Sequence, residues 1–168
     1  MHAIRAASFV ASDRAAWRIV PDRPRLPASI TLDRVVGVAV DSAGLVYLAH
    51  RGDHPLLCLN PDGTLHHEVG TAHLKKTTAY DLRGPLPVSI ATRHWLHGLH
   101  VDPWDNLWVT DVGRHLVMKF DPAGALALTL GVDGEPGIDA RHFNQPTHVC
   151  VVPSGNSSFQ MATAIPGS

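Results

Sequence analysis

Residues 97–120, HGLHVDPWDNLWVTDVGRHLVMKF, decide the fold. Leu99 and Val101 alternate with His100 and Asp102, the period of a half-buried strand. Pro103-Trp104-Asp105-Asn106 reads as a turn, since proline presets φ and Asp and Asn tolerate tight backbone geometry. Leu107 and Val109, then Leu116, Met118 and Phe120, continue the alternation in two more short strands. Asp121-Pro122-Ala123-Gly124 closes the third strand, and a fourth follows from Ala125 to Leu130 before Gly131. Four short antiparallel strands in roughly 35 residues make one blade of a β-propeller.

A blade cannot bury both faces alone, so its pattern should recur. Val35 to Asp41, VVGVAVD, matches Leu96 to Asp102, LHGLHVD. Leu45 to His50 then supplies a second strand and Leu56 to Leu59 a third, and Asn60-Pro61-Asp62-Gly63 repeats the turn at 121–124. A third copy begins at Gln145, where Pro146 to Pro153, PTHVCVVP, matches Leu96 to Pro103. The repeats from Gly37 to Gly98 and from Pro103 to Pro153 are both longer than a standard blade of about 40–45 residues. The connections between blades are therefore long, and long loops on a rigid repeat are where sites sit.

The fold class is thus all-β, a partial propeller of four-stranded antiparallel blades. The 168 residues hold about two and a half blades, where a single-domain propeller needs about four or more. The chain divides into an N-terminal arm at 1–29, a propeller fragment at 30–155 and a tail at 156–168. Blades fall near 30–70 and 97–131, and the third starts at 145. The 14 glycines and 13 prolines exceed the usual joint share of about 12% and concentrate in turns. A net charge of −1 points away from a nucleic-acid partner, and no apolar run is long enough to span a membrane. Cys58 and Cys150 lie in apolar strands and are too few for a disulfide framework, so both are expected reduced and buried.

From the N-terminus, Met1 to Arg18 has the residues for a short helix, which Pro21, Pro24 and Pro27 stop from extending. Asp13, Arg14 and Arg18 interrupt any signal-peptide core, so the chain as written is expected in the cytoplasm. His50-Arg51-Gly52-Asp53-His54 puts charge between two apolar strands. Thr71 to Trp95 is a long connection without strong periodicity, with a stiff Gly84-Pro85-Leu86-Pro87 segment. Gly131 to Asn144 is a second, Gly-containing crossover.

Together, HRGD at 50–53, HGL at 97–99, TDV at 110–112 and HFNQPT at 142–147 resemble the NHL-repeat propellers, and among them the peptidyl-α-hydroxyglycine α-amidating lyases. The resemblance covers Val35 to Gly155 and implies a complete propeller of six blades. It implies that Arg51 is the catalytic arginine and that His97 is one of three histidines on a channel zinc. It also implies that Val38 and Leu99 bind a structural calcium through their backbone carbonyls. The implied substrate is a peptide ending in α-hydroxyglycine, cleaved at C–N to a peptide amide and glyoxylate. The residue types suit this chemistry. An open zinc site acts as a Lewis acid, an always-charged guanidinium stabilises an oxyanion, and carbonyl oxygens suit a hard cation. Family members are often secreted. His100, His115, His142 and His148 are read as turn or rim residues, and Asp102 and Asp111 as turn-capping acids.

The pattern stops at Gly155. The tail NSSFQMATAIPGS has no strand alternation, and the family's SDGY motif with its basic tyrosine is missing; Tyr80 lies elsewhere. One permitted codon set for residues 155–167, read one base earlier, spells EFFVSDGYGNSR. The tail is therefore expected to be a frameshifted reading, unpacked and without strand structure. One histidine cannot supply the three protein ligands of a catalytic zinc, so tight zinc binding and activity are not expected of this chain. Alternatives are a non-catalytic repeat module that binds protein or peptide, and another metal-dependent propeller enzyme such as a lactonase. Unpaired blade edges make self-association an expectation.

Overall fold

The structure is a computed structural model that describes residues 20–81, 85–151 and 157–161. The proposed helix at 1–18 lies outside these residues. Among the described residues, twelve strands and no helix make the fold all-β. The first blade is β1 (Gly37–Val40), β2 (Val46–Ala49), β3 (Leu56–Leu59) and β4 (Leu65–Glu68), antiparallel and in that spatial order. A hairpin follows, β5 (Thr77–Asp81) with β6 (Val88–Arg93). The second blade is β7 (Leu96–Val101), β8 (Leu107–Asp111), β9 (Leu116–Phe120) and β10 (Leu126–Leu130), again in sequential order. β11 (Pro146–Val151) pairs with β12 (Ser157–Met161) as the start of a third.

The repeated turns have one chemical cause. Asp41 Oδ1 accepts from the N–H groups of Ala43 and Leu45 at 3.0 and 2.8 Å. Asp102 Oδ1 accepts from those of Trp104 and Asn106, both at 2.9 Å. Asp121 Oδ1 does the same for Ala123 and Ala125. An aspartate at the end of a strand thus closes its own turn two and four residues on, which is why Asp recurs there. Asp102 has the turn-capping role expected from the sequence, and its Oδ2 also accepts from Trp108 Nε1.

The core lies between the first two blades. Tyr47, Ala49, Leu56, Cys58 and Val69 face Leu96, Leu99, Leu107, Val109, Met118 and Phe120 across it. The other face of the second blade sets Trp108 and Val117 on Val149 and Val151 of β11. On the other face of the first, Leu48, Leu57 and Leu59 pack with Ile30, against which Leu26 and Leu32 close. Part of the N-terminal arm therefore covers the first blade. Both cysteines are free thiols, Cys58 fully buried and Cys150 half-buried.

Two stretches differ from the sequence reading. The connection at 71–95 contains the β5–β6 hairpin. Its alternation is weak because Val88 and Ile90 are exposed, so neither face is marked by burial. In the tail, the backbone of Ser157–Met161 pairs with β11, with Val149 opposite Phe159. Main-chain pairing depends little on side-chain identity, and an open strand edge accepts such a segment. The rest of 156–168 lies outside the described residues.

Candidate functional site

His50-Arg51-Gly52-Asp53-His54 links β2 to β3, and it is not a solvated turn. His50 is fully buried. Its Nδ1 accepts from the N–H groups of Asp33 and Gly52 at 3.3 and 3.1 Å, which places the proton on Nε2. Burial pushes its pKa below the usual histidine range, so the ring is a neutral post for the turn. Gly52 has no room for a side chain, since a Cβ there would stand 2.7 Å from His50 Cε1. Its carbonyl accepts from Nδ1 of His94, a buried residue just before β7.

Arg51 is set by this frame. Its Nε donates to the Leu96 carbonyl at 3.1 Å, and its guanidinium lies 5.0 Å from the Trp95 ring centroid. Arg93 approaches the same ring at 5.6 Å. Arg51, Arg93, Lys76 and His54 line an open cleft of about 410 Å³ with Asp33 and Asp53. Asp33 pairs with Arg93 at 3.2 Å and Asp53 with Lys76 at 2.6 Å. Among the described residues no carboxylate pairs with Arg51. Burial, then the neighbouring guanidiniums of Arg34 and Arg93, lower its pKa, though an arginine stays charged. Asp33 and Asp111 act on Arg51 only at longer range, so among the described residues the cleft holds a half-buried guanidinium in no direct ion pair, an arrangement that favours a bound anion.

The bond to Leu96 ties Arg51 to the residue that precedes His97 on β7. The His97 ring is exposed, and its Nδ1 donates to the Thr147 carbonyl at 3.1 Å. A carbonyl can only accept, so Nε2 carries the lone pair, which is how metal-binding histidines are commonly oriented. Yet no group of three ligands that includes His97 occurs among the described residues. At the His97 position they supply one nitrogen where a catalytic zinc needs three protein ligands, so they do not make up the channel zinc centre that the resemblance implies.

Val38 and Leu99 occupy equivalent places on β1 and β7. Asp41 N–H donates to the Leu45 carbonyl, and Asp102 N–H to that of Asn106. Backbone direction alternates along a strand, so Val38 and Leu99 each turn N–H and C=O away from the blade's second strand. Both are on innermost strands, and β1 packs on β7. Two carbonyls on the open inner edge suit a hard cation.

Of the other histidines, His142 Nδ1 binds the Asp139 carboxylate and His115 Nδ1 accepts from Gln145 N–H. His100 instead lies within β7 and bridges to the Val151 backbone. Asp111 caps its turn through Oδ1, which accepts from Gly113 and Arg114 N–H. Its buried Oδ2 has no partner among the described residues, and burial pushes its pKa up. Sequence reasoning missed Arg93, His94 and Trp95 as builders of the Arg51 cleft, and the buried role of His50 within its HRGD motif. The only local signal of the first three is the clustering of RHW immediately before LHGL.

No protein-family model matches the chain. Among curated proteins it is 37% identical over 135 residues to peptidylglycine alpha-amidating monooxygenase of Rattus norvegicus, covering 75% of the chain and 14% of that protein. It is 51% identical over 63 residues to peptidyl-alpha-hydroxyglycine alpha-amidating lyase 1 of Drosophila melanogaster, 36% of the chain and 12% of that protein. Lyase 2 of the same fly is 28% identical over 130 residues, 73% of the chain and 32% of that protein. The chain thus spans less than a third of the length of each of these relatives. The blades and their order define a β-propeller protein. Within that class the curated homologues of the chain are peptidyl-alpha-hydroxyglycine alpha-amidating lyases and amidating monooxygenases.

Proposed function

We propose that this chain forms the first blades of an amidating lyase propeller, acting on peptides that end in α-hydroxyglycine. The products would be a peptide amide and glyoxylate. The observation that carries this reading is Arg51, a guanidinium with no carboxylate ion pair among the described residues, braced by Trp95 and the Leu96 carbonyl in an open cleft. Such a group holds the oxygen that gains negative charge as the C–N bond breaks. Arg93, paired with Asp33, lies against the same indole and helps to hold it in place. His97 is offered as one zinc ligand, and the Val38 and Leu99 carbonyls as calcium ligands, of a larger centre.

The chain by itself is proposed to be inactive, because it presents one ligand of the implied channel zinc, His97, and carries no SDGY tyrosine. An acylated dipeptide ending in α-hydroxyglycine, assayed for glyoxylate release, tests both statements. The isolated chain should release none above the uncatalysed rate. A complete lyase carrying this stretch should turn the substrate over, and Arg51→Ala should abolish that turnover. An active Arg51→Ala lyase would overturn the assignment.

A further inference from the structure

The outer strands of the first blade contain a bulge. Leu59 lies opposite Leu65 and Cys58 opposite His67, which leaves His66 as the extra residue. A bulge sets two residues against one on the partner strand and re-aims their side chains. Neighbouring strand residues ordinarily point to opposite faces. Here both imidazoles turn to the same thiol, and the ligating atoms of Cys58, His66 and His67 all lie within 4.8 Å of one another. The two Nδ1 atoms are 2.6 Å apart, with the rings edge to face at 67°.

The surroundings grade from dry to wet. Cys58 is fully buried, His67 half-buried and His66 exposed. Tyr47 lies directly opposite Cys58 on β2, and Tyr47, Cys58 and His67 form one cross-strand row. Burial raises the thiol pKa, so without a cation Cys58 stays protonated at neutral pH. His67 Nε2 reaches the second blade, 3.8 Å from where a Cβ on Gly124 would stand.

We propose that Cys58, His66 and His67 bind a zinc-class divalent cation at the outer edge of the first blade. One sulfur and two imidazole nitrogens form a borderline-soft ligand set. Tetrahedral bonds of about 2.0–2.3 Å put ligand atoms roughly 3.3–3.7 Å apart, so the cluster must close by about 1 Å through side-chain rotation. Binding exchanges the thiol S–H bond for a sulfur–metal bond and releases that proton to solvent. The imidazoles ligate as neutral rings, and the fourth position faces water on the His66 side. Cys58 lies two strands out from β1, roughly 10 Å at the usual strand spacing, so this site is separate from the inner-strand position of His97. Its role is to pin β4, the outermost strand of the first blade.

Cobalt(II) titration of the metal-free chain at neutral pH tests this. One equivalent should bind with a thiolate-to-cobalt charge-transfer band and tetrahedral d–d bands, and zinc should displace it. Cys58→Ser should remove the charge-transfer band. His66→Ala alters an exposed residue and should keep the parent's circular dichroism. It should bind cobalt weaker by at least the roughly 10-fold that losing even an outer-sphere partner costs. His97→Ala should leave the band and the affinity unchanged, which separates this site from the lyase reading. Absence of a thiolate band in the parent chain, unchanged affinity in His66→Ala, or loss of the band in His97→Ala would each overturn the proposal.

Discussion

Gly37 of β1 and Leu99 of β7 meet with no space for a side chain between them: a Cβ on Gly37 would stand 2.7 Å from the Leu99 Cβ. Gly98, which holds the same repeat position as Gly37, does the equivalent one blade on. A Cβ there would stand 2.6 Å from the Thr147 carbonyl oxygen on β11. Each glycine therefore admits the next innermost strand to the centre of the propeller.

Gly37→Ala should destabilise the chain by about 1–3 kcal/mol, the range for forcing an extra methyl into a packed contact. Gly98→Ala should cost at least as much, because its obstacle is main chain. Urea unfolding would measure both, and a neutral Gly98→Ala would contradict the inner-strand packing described above.

Arg51→Lys keeps the charge but loses the planar group that spans Trp95 and the Leu96 carbonyl. In a complete lyase carrying this stretch, turnover should fall by about 100-fold or more, as for loss of one preorganised donor. The melting temperature should barely move. Equal turnover would reduce the 50–54 segment to a structural turn.

Asp111 should give the chain a pH-dependent stability. Its folded pKa is raised by burial above the unfolded value near about 3.9. Stability from the neutral carboxyl is fully present below that value and is lost as pH rises through the folded pKa. Asp111→Asn removes the ionisation, so its stability relative to the parent should increase with pH. Chemical denaturation of the two chains at about pH 4 and about pH 8 would show this, and a constant difference would refute it.

His50 acts in the opposite direction. Burial lowers its folded pKa below the unfolded value near about 6.5. The stability it contributes is present above about pH 6.5 and is lost as pH falls through the folded pKa. Protonation also takes the Nδ1 lone pair from Asp33 and Gly52, so the Arg51 turn should loosen in acid. Hydrogen exchange at the Gly52 amide, followed as pH is lowered, should accelerate in the parent; steady protection would count against this role for His50.

Val35, Val38 and Val40 are 48, 59 and 57% exposed, enough apolar surface on one blade to promote self-association. Sedimentation should show concentration-dependent association that Val40→Lys weakens. A monodisperse parent chain over a wide concentration range would contradict it.

What the sequence determined was local. Strand alternation, the Asp-led turns and the glycines at matching repeat positions depend on residues a few places apart, so they place the blades; Arg51, His97, Val38 and Leu99 are singled out by the family resemblance that the HRGD and HGL motifs carry. The β5–β6 hairpin escaped because β6, with Val88 and Ile90 exposed, carries no burial pattern. Tertiary structure alone decided that His50 is a buried post, that Trp95 and Arg93 brace Arg51, and that a bulge turns His66 and His67 onto Cys58. Each of these depends on which main chain closes over a side chain or on how two strands pair. Desolvation and convergence of that kind are set by packing between segments distant in the chain, and spacing along one segment does not encode them.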